Sequence, residues 1–209
     1  MPNRRIAVLI SGRGSNLQSL IDAVAAKRLD ATIAVVISNR AGAPGLDRAR
    51  AAGIPVVTLP HRDYPSRDAF EAALVGELRA HDVALVCLAG FMRVLGSTFL
   101  EAFAGRTLNV HPSLLPAFPG VDAQRQALDR GVKVAGATVH VVTGELDGGP
   151  IVAQGAVAVL EDDTAETLSA RILEVEHRIL PEAVATMLDG GWTIEGGRFR
   201  APRSRPASA

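Results

Sequence analysis

The segment Asn109-Val110-His111-Pro112-Ser113-Leu114-Leu115-Pro116 is followed, 36 residues after His111, by Asp147 in Glu145-Leu146-Asp147-Gly148-Gly149-Pro150. An amide, an imidazole and a carboxylate thus stand in stretches punctuated by Pro and Gly, a setting suited to chemistry more than to packing. Asn109 can donate a hydrogen bond, His111 can exchange a proton near neutral pH, and Asp147 can hold that ring charged. Such a set lets an amine attack a carbonyl carbon without a covalent enzyme intermediate. Taken singly, a strand-end His is more often a satisfied structural residue, and Asp-Gly-Gly more often a turn. Asn-x-His, however, places both side chains on one face of an extended backbone, and Pro112 keeps His111 extended. With a second loop offering Asp147, the catalytic reading is the better one.

A second feature is Ser11-Gly12-Arg13-Gly14-Ser15-Asn16, where a first strand turns into a first helix. The glycines permit tight turning, and free N–H groups at the helix start favour a phosphate. Leu17 occupies the third glycine position of a dinucleotide fingerprint, and Ser38-Asn39-Arg40 supplies no acid for a ribose,. No Gly-Lys-Ser/Thr follows, so a Walker loop is excluded too, and a monophosphate is the expected ligand. His61, His81, His140 and His177 lack metal-ligand spacing and read as structural or solvated. By spacing alone, Arg67 and Glu176 read as solvent-facing helix residues.

The elements that must position these groups alternate. Ile6–Ile10, Ile33–Ile37, Val56–Leu59 and Val83–Leu88 are short, continuously apolar runs, the pattern of strands buried on both faces of a parallel sheet,. Between them, Leu17, Leu20, Ile21 and Val24, then Phe70, Ala73, Leu74 and Leu78, repeat at helical spacing. Pro44 introduces and Gly53 closes a shorter helix over Gly45–Ala52,. The result is an α/β, Rossmann-like, doubly wound and mostly parallel sheet. Further along, short helices are expected at Thr98–Phe103 and Asp122–Arg130, and strands at Thr107–Val110, Val134–Val142 and Ile151–Val159. Thr164–Asp189 is a long amphipathic helix that Pro181 should kink or divide. Gly190–Phe199 adds a last hairpin or strand, and the composition of Arg200–Ala209 predicts a disordered tail. We expect one domain over residues 1–199.

The bulk numbers exclude several classes. At 209 residues, with 48% apolar and 21% charged side chains, such a chain buries roughly 70–75% of its unfolded surface without staples. Lys plus Arg equals Asp plus Glu at 22 each, so no global field recruits nucleic acid or a membrane. Cys87, the sole cysteine, sits in an apolar run and reads as a small buried hydrophobe,. No run approaches the roughly 20 apolar residues of a membrane span, and a cytoplasmic protein is expected.

The motifs together resemble a known family. Ile10–Asn16, Leu88-Ala89-Gly90-Phe91-Met92-Arg93, Asn109–Pro116 and Glu145–Pro150 are similar to the formyltransferase family, in order, from about residue 5 to residue 190. The Asn-x-His…Asp set marks the whole family, and Ser-Gly-x-Gly-Ser-Asn its glycinamide ribonucleotide branch. The resemblance implies formyl transfer from 10-formyltetrahydrofolate, as cosubstrate, to the amine of glycinamide ribonucleotide in purine biosynthesis. It further implies catalysis by Asn109, His111 and Asp147, and substrate binding by Gly14, Ser15, Asn16 and Glu176. The folate would meet Arg67 at its glutamate end and Met92, Arg93, Val94 and Leu95 around its pterin, with Asn109 also in reach. No metal is implied. Small molecules are the expected partners, nucleic acid and membrane are not, and the chain would be a monomer or homodimer.

One departure is evident: Val121-Asp122-Ala123-Gln124 stands where the family's mobile loop often carries two histidines. A deformylase of the same folate shares the triad but usually has an N-terminal regulatory domain, for which no room is expected before Ile6. A formyltransferase for initiator tRNA would need a C-terminal RNA-binding domain. A nucleotide-binding module in which His111 only packs is the non-enzymatic alternative, and an NAD(P) oxidoreductase is the weakest.

Overall fold

A computed structural model describes residues 3–202. β1 (Arg5–Ile10) is the spine of a seven-stranded sheet ordered β3-β2-β1-β4-β5-β6-β7. Its side chains alternate between two core layers, Ile6, Val8 and Ile10 entering one and Ala7 and Leu9 the other,. All five are fully buried, which is why the run is apolar throughout. β2 (Thr32–Ser38) and β4 (Leu85–Leu88) flank it in parallel. β3 (Val56–Thr58) extends one side and β5 (Thr107–His111) the other, again in parallel. β6 (Val134–Val141) and β7 (Ile151–Ala158) then run antiparallel.

The helices fill the two layers. α1 (Ser15–Ala25), α2 (Gly45–Ala51), α5 (Ala123–Asp129) and α6 (Ala165–Asp189) pack on one face, and α3 (Arg67–Ala80) and α4 (Ser97–Ala102) on the other. Cys87 lies wholly inside the first layer, where burial pushes its thiol up to about 12. It is a packing residue, as its apolar surroundings foretold.

The C-terminal part refines two expectations. Of the kink or division expected at Pro181, the division does not occur, and α6 runs 25 residues through it. A proline in a helix interior costs about 3 kcal/mol, but Ile179, Leu180 and Val184 are buried on either side of it. Burial at roughly 1.5–3 kcal/mol per large apolar side chain outweighs that cost. At the other end, β8 (Thr193–Glu195) and β9 (Arg198–Arg200) form the expected hairpin, with Trp192 stacked on Phe199. Arg200 therefore belongs to a strand rather than to a tail, and Arg203–Ala209 lies outside the described residues.

This topology makes a crevice. From β1 the chain winds to β2 and β3, then crosses back to β4 and β5, so the loops leaving β1 and β4 diverge at a switch in strand order,. The β1 loop is held open by close backbone packing. Gly14 has φ +71°, and a Cβ there would stand 2.7 Å from the Cα of Gly45, which opens α2. Gly14→Ala should therefore destabilise the unliganded protein by more than about 1 kcal/mol. Denaturant titration checks this, and unchanged stability would show that the loop shifts freely.

Candidate active site

The candidate chemistry lies on one face of the β5–β6 pair. Leu108 and Val110 turn into a core layer, as do Ala137, Val139 and Val141 of β6. Alternation consequently puts Asn109, His111, Thr138 and His140 on the opposite face. Among the described residues, two loops rather than a helix cover them. The first, residues 112–122, is anchored by Thr138 and Gln154. Leu115 N donates to Thr138 Oγ1 at 3.0 Å, that hydroxyl donates to the Ser113 carbonyl at 2.7 Å, and Gln154 Nε2 donates to the Leu115 carbonyl at 2.9 Å. The second loop, residues 142–150, folds back tightly on β6. A Cβ on Gly149 would stand 1.7 Å from the Val141 carbonyl oxygen, so only glycine fits there. This return carries Asp147, itself at φ +52°, over the face.

Asp147 gathers the groups around it. Its Oδ2 accepts the Gly120 N–H at 2.8 Å and lies 3.4 Å from His111 Nδ1, and its Oδ1 lies 3.6 Å from His140 Nε2. His111 Nε2 donates to the Phe118 carbonyl at 2.9 Å. Both ring nitrogens of His111 thus face oxygen acceptors.

His140 corrects the sequence reading, which placed it outside the site. It stands opposite Asn109 in the β5–β6 register and is 2% exposed. Its Nδ1 donates to the Val141 carbonyl at 3.1 Å, leaving Nε2 to accept from Asn109 Nδ2 at 3.2 Å. Burial pushes this ring below the ordinary histidine value, against the pull of Asp147. A neutral His140 therefore orients the Asn109 amide, whose second Nδ2 hydrogen remains free. Spacing could not reveal this, because it depends on cross-strand pairing. Although two histidines flank one aspartate, no group of three such side chains among the described residues is placed to hold a metal ion.

At the β1 loop, Gly14 is the N-cap of α1 with no side-chain cap, and Ser15 and Asn16 begin the helix without acidic neighbours in its first turn. The expected substrate residues meet here. Asn16 Nδ2 donates to Glu176 Oε2 at 2.6 Å across 160 residues, while Asn16 Oδ1 is buried with no protein partner. Glu176 is buried, not solvent-facing as spacing alone suggested. Desolvation pushes its carboxyl above the usual range, and the Asn16 bond only partly opposes this.

The expected folate residues divide. Met92, Arg93 and Val94 are exposed, whereas the Leu95 side chain is in the α3–α4 core. The Met92 N–H is already committed to Ser11 Oγ at 2.8 Å, and Ser11 Oγ donates to Asn39 Oδ1 at 2.6 Å. Asn39 Nδ2 faces His61 Nδ1 at 3.3 Å. Met92 and Arg93 border an open cavity of about 540 Å³ together with His61, Arg40 and Arg62. Arg67 opens α3, half-exposed, with Nε bound to Glu71 Oε1 at 2.9 Å.

Fold and site together define a Rossmann-like α/β enzyme whose polar groups gather where loops from β1, β4 and β5 meet. The formyl transferase family matches across residues 4–184, and the chain belongs to that family. It is 46% identical over 185 residues to phosphoribosylglycinamide formyltransferase of Escherichia coli (strain K12), covering 88% of this chain and 87% of that one. It is 48% identical over 191 residues to the trifunctional purine biosynthetic protein adenosine-3 of Drosophila pseudoobscura pseudoobscura. That match covers 90% of this chain, which spans only 14% of the larger protein. The crystal structure of glycinamide ribonucleotide transformylase 1 from Symbiobacterium toebii superposes with a TM-score of 0.94 at 56% identity, over 95% of this chain and 94% of that one.

The environment of Glu176 has a consequence for stability. A carboxyl raised in the folded state contributes stability that is full below its unfolded value, near 4.5, and lost as pH rises through the folded value,. Glu176→Gln keeps a neutral acceptor for Asn16 at every pH. Its melting temperature should therefore gain on the wild type as pH climbs above that unfolded value. Thermal unfolding across a pH series checks this, and parallel curves would mean that Glu176 ionises without cost.

Proposed function

We propose that this chain transfers the formyl group of 10-formyltetrahydrofolate to the amine of glycinamide ribonucleotide, a step of de novo purine biosynthesis. The observation that carries the reading is the Asn109–His140–Asp147–His111 network at the carboxyl end of β5, with the uncapped start of α1 following β1 of the same sheet. The family membership and the relatives' named activity support it.

In this reaction the amine nitrogen bonds to the formyl carbon, the bond from that carbon to folate N10 breaks, and the amine proton passes to N10. Asn109, through its free Nδ2 hydrogen, and His111, through Nε2–H, stabilise the oxyanion that develops on the formyl oxygen. The Phe118 carbonyl now on His111 Nε2 gives way to that oxygen, since both accept the same proton. Asp147 keeps His111 Nδ1 engaged and, through water, relays the proton between the two nitrogens. Gly14, Ser15 and Asn16 hold the ribonucleotide phosphate, and Glu176 also contacts the ribonucleotide. Arg67 meets the folate's glutamate end, and the Met92–Leu95 segment its pterin. No step calls for a metal.

Mixing the protein with both substrates and following release of tetrahydrofolate tests the reading. Release that depends on the ribonucleotide is expected; release without it would indicate a deformylase, and none would leave a binding module. Asp147→Asn should lower kcat by about 10²–10⁴-fold with KM values little changed, the usual contribution of positioned proton transfer. Near-normal turnover would remove Asp147 from the mechanism. His140→Ala frees the Asn109 amide without deleting it, so kcat should fall by less than the roughly 10²–10³-fold cost of losing an oxyanion donor. Steady-state kinetics of this variant beside Asn109→Ala ranks the two, and a larger loss for His140→Ala would give that ring a direct role.

A further inference from the structure

Glu71 is a carboxylate 1% exposed on the inner side of α3, outside the groups assigned so far. A buried carboxylate is costly unless donors surround it, and here backbone and side chain both supply them. Oε1 accepts from Arg67 Nε at 2.9 Å and from Gly96 N at 2.6 Å, and Oε2 accepts from Phe99 N at 3.2 Å. Gly96 is the N-cap of α4 and offers no side-chain cap of its own. Glu71 thus caps α4 from a neighbouring helix, satisfying N–H groups its own sequence leaves open.

The same carboxylate settles Arg67. With Nε engaged, the guanidinium keeps its Nη1–Nη2 edge for an incoming carboxylate, a geometry suited to a bidentate pair. Gly96 gives the space for this: a Cβ there would stand 2.7 Å from Arg67 Nη2 and 2.9 Å from its Cζ. The arginine therefore lies against the turn that directly follows Met92–Leu95. Glu71, Gly96 and Arg67 form one unit joining α3 to the segment assigned to the folate.

We propose that Glu71 is a positioning residue of the folate site, its buried carboxylate orienting Arg67 towards the cosubstrate's glutamate end. This rests on the assignment of Arg67 to the folate made above. A residue that merely staples the fold would weaken both substrates alike when replaced. Glu71 instead acts on one end of one substrate.

The test compares KM for 10-formyltetrahydrofolate with KM for the glutamate-free 10-formyltetrahydropteroate. In the wild type the glutamate-free compound should bind more weakly. Glu71→Gln should raise KM for the folate about tenfold, the scale of a misplaced charge-assisted hydrogen bond. KM for the pteroate and for the ribonucleotide should barely change, and kcat should hold. In an Arg67→Ala background, Glu71→Gln should add nothing to the folate KM, because its route of action is gone. Gly96→Ala, which leaves Glu71 in place but crowds the guanidinium, should reproduce the selective loss even where Glu71→Gln fails to fold. Equal losses for folate and pteroate, a full additional loss in the Arg67→Ala background, or a Gly96→Ala enzyme with unchanged folate KM would each overturn the proposal. Equal KM values for the two compounds in an active wild type would remove Arg67's role and this proposal together, leaving the formyl-transfer reading intact. An inactive wild type would remove all three.

Discussion

The antiparallel pairing of β5 with β6 is the constraint on which the site depends. It sets Asn109 opposite His140 and His111 opposite Thr138, so one sheet face presents an amide, two imidazoles and a hydroxyl within a few residues. The connection between the two strands, residues 112–133, carries α5 in the opposite layer. The chain then turns straight back after β6, and the short return leaves Asp147 above the pair. Closing the polar face falls to loops, which can supply backbone N–H and carbonyl groups where a helix could not. Gly120 N and the Phe118 carbonyl fill that role for Asp147 and His111.

Three buried carboxyl groups show how surroundings divide the labour. Glu71 has a guanidinium and two backbone N–H donors, and Asp147 has the Gly120 N–H and faces His111 Nδ1. Glu176 has one neutral amide, and burial raises its carboxyl. A desolvated carboxyl with few donors ionises less readily.

Much of this was legible in the chain, and what was not follows a physical rule. The central strands and their order of alternation with helices came from continuous apolar runs, because burial on both faces leaves no room for polar residues. Asn109, His111 and Asp147 stood out because two neighbours in one strand and one turn are local patterns. His140 and Glu71 did not, since each acquires its role from a partner many residues away: His140 through strand register, Glu71 through a helix capped from outside. Asn16 stands out in the turn after the first strand and Glu176 through family resemblance, and only the fold joins them. That Pro181 leaves α6 undivided has the opposite reason. Its local cost is real, but the apolar residues around it are buried in a core that spacing on one helix cannot weigh.

The loop over the triad shows why the departure at Val121-Asp122-Ala123-Gln124 leaves the closure in place. What the loop lays on His111 and Asp147 is backbone: the Gly120 amide on Asp147 and the Phe118 carbonyl on His111. What anchors the loop is Thr138 and Gln154, on β6 and β7, through Ser113 and Leu115. Neither set of contacts uses a side chain from residues 121–124, of which Val121 and Asp122 face solvent. Side chains lost at those positions therefore change what the loop can offer a substrate without changing how it seats on the protein. The Phe118 carbonyl also accepts the His111 Nε2 hydrogen, which would otherwise have no partner. The resting loop thus keeps that N–H satisfied and oriented with backbone alone.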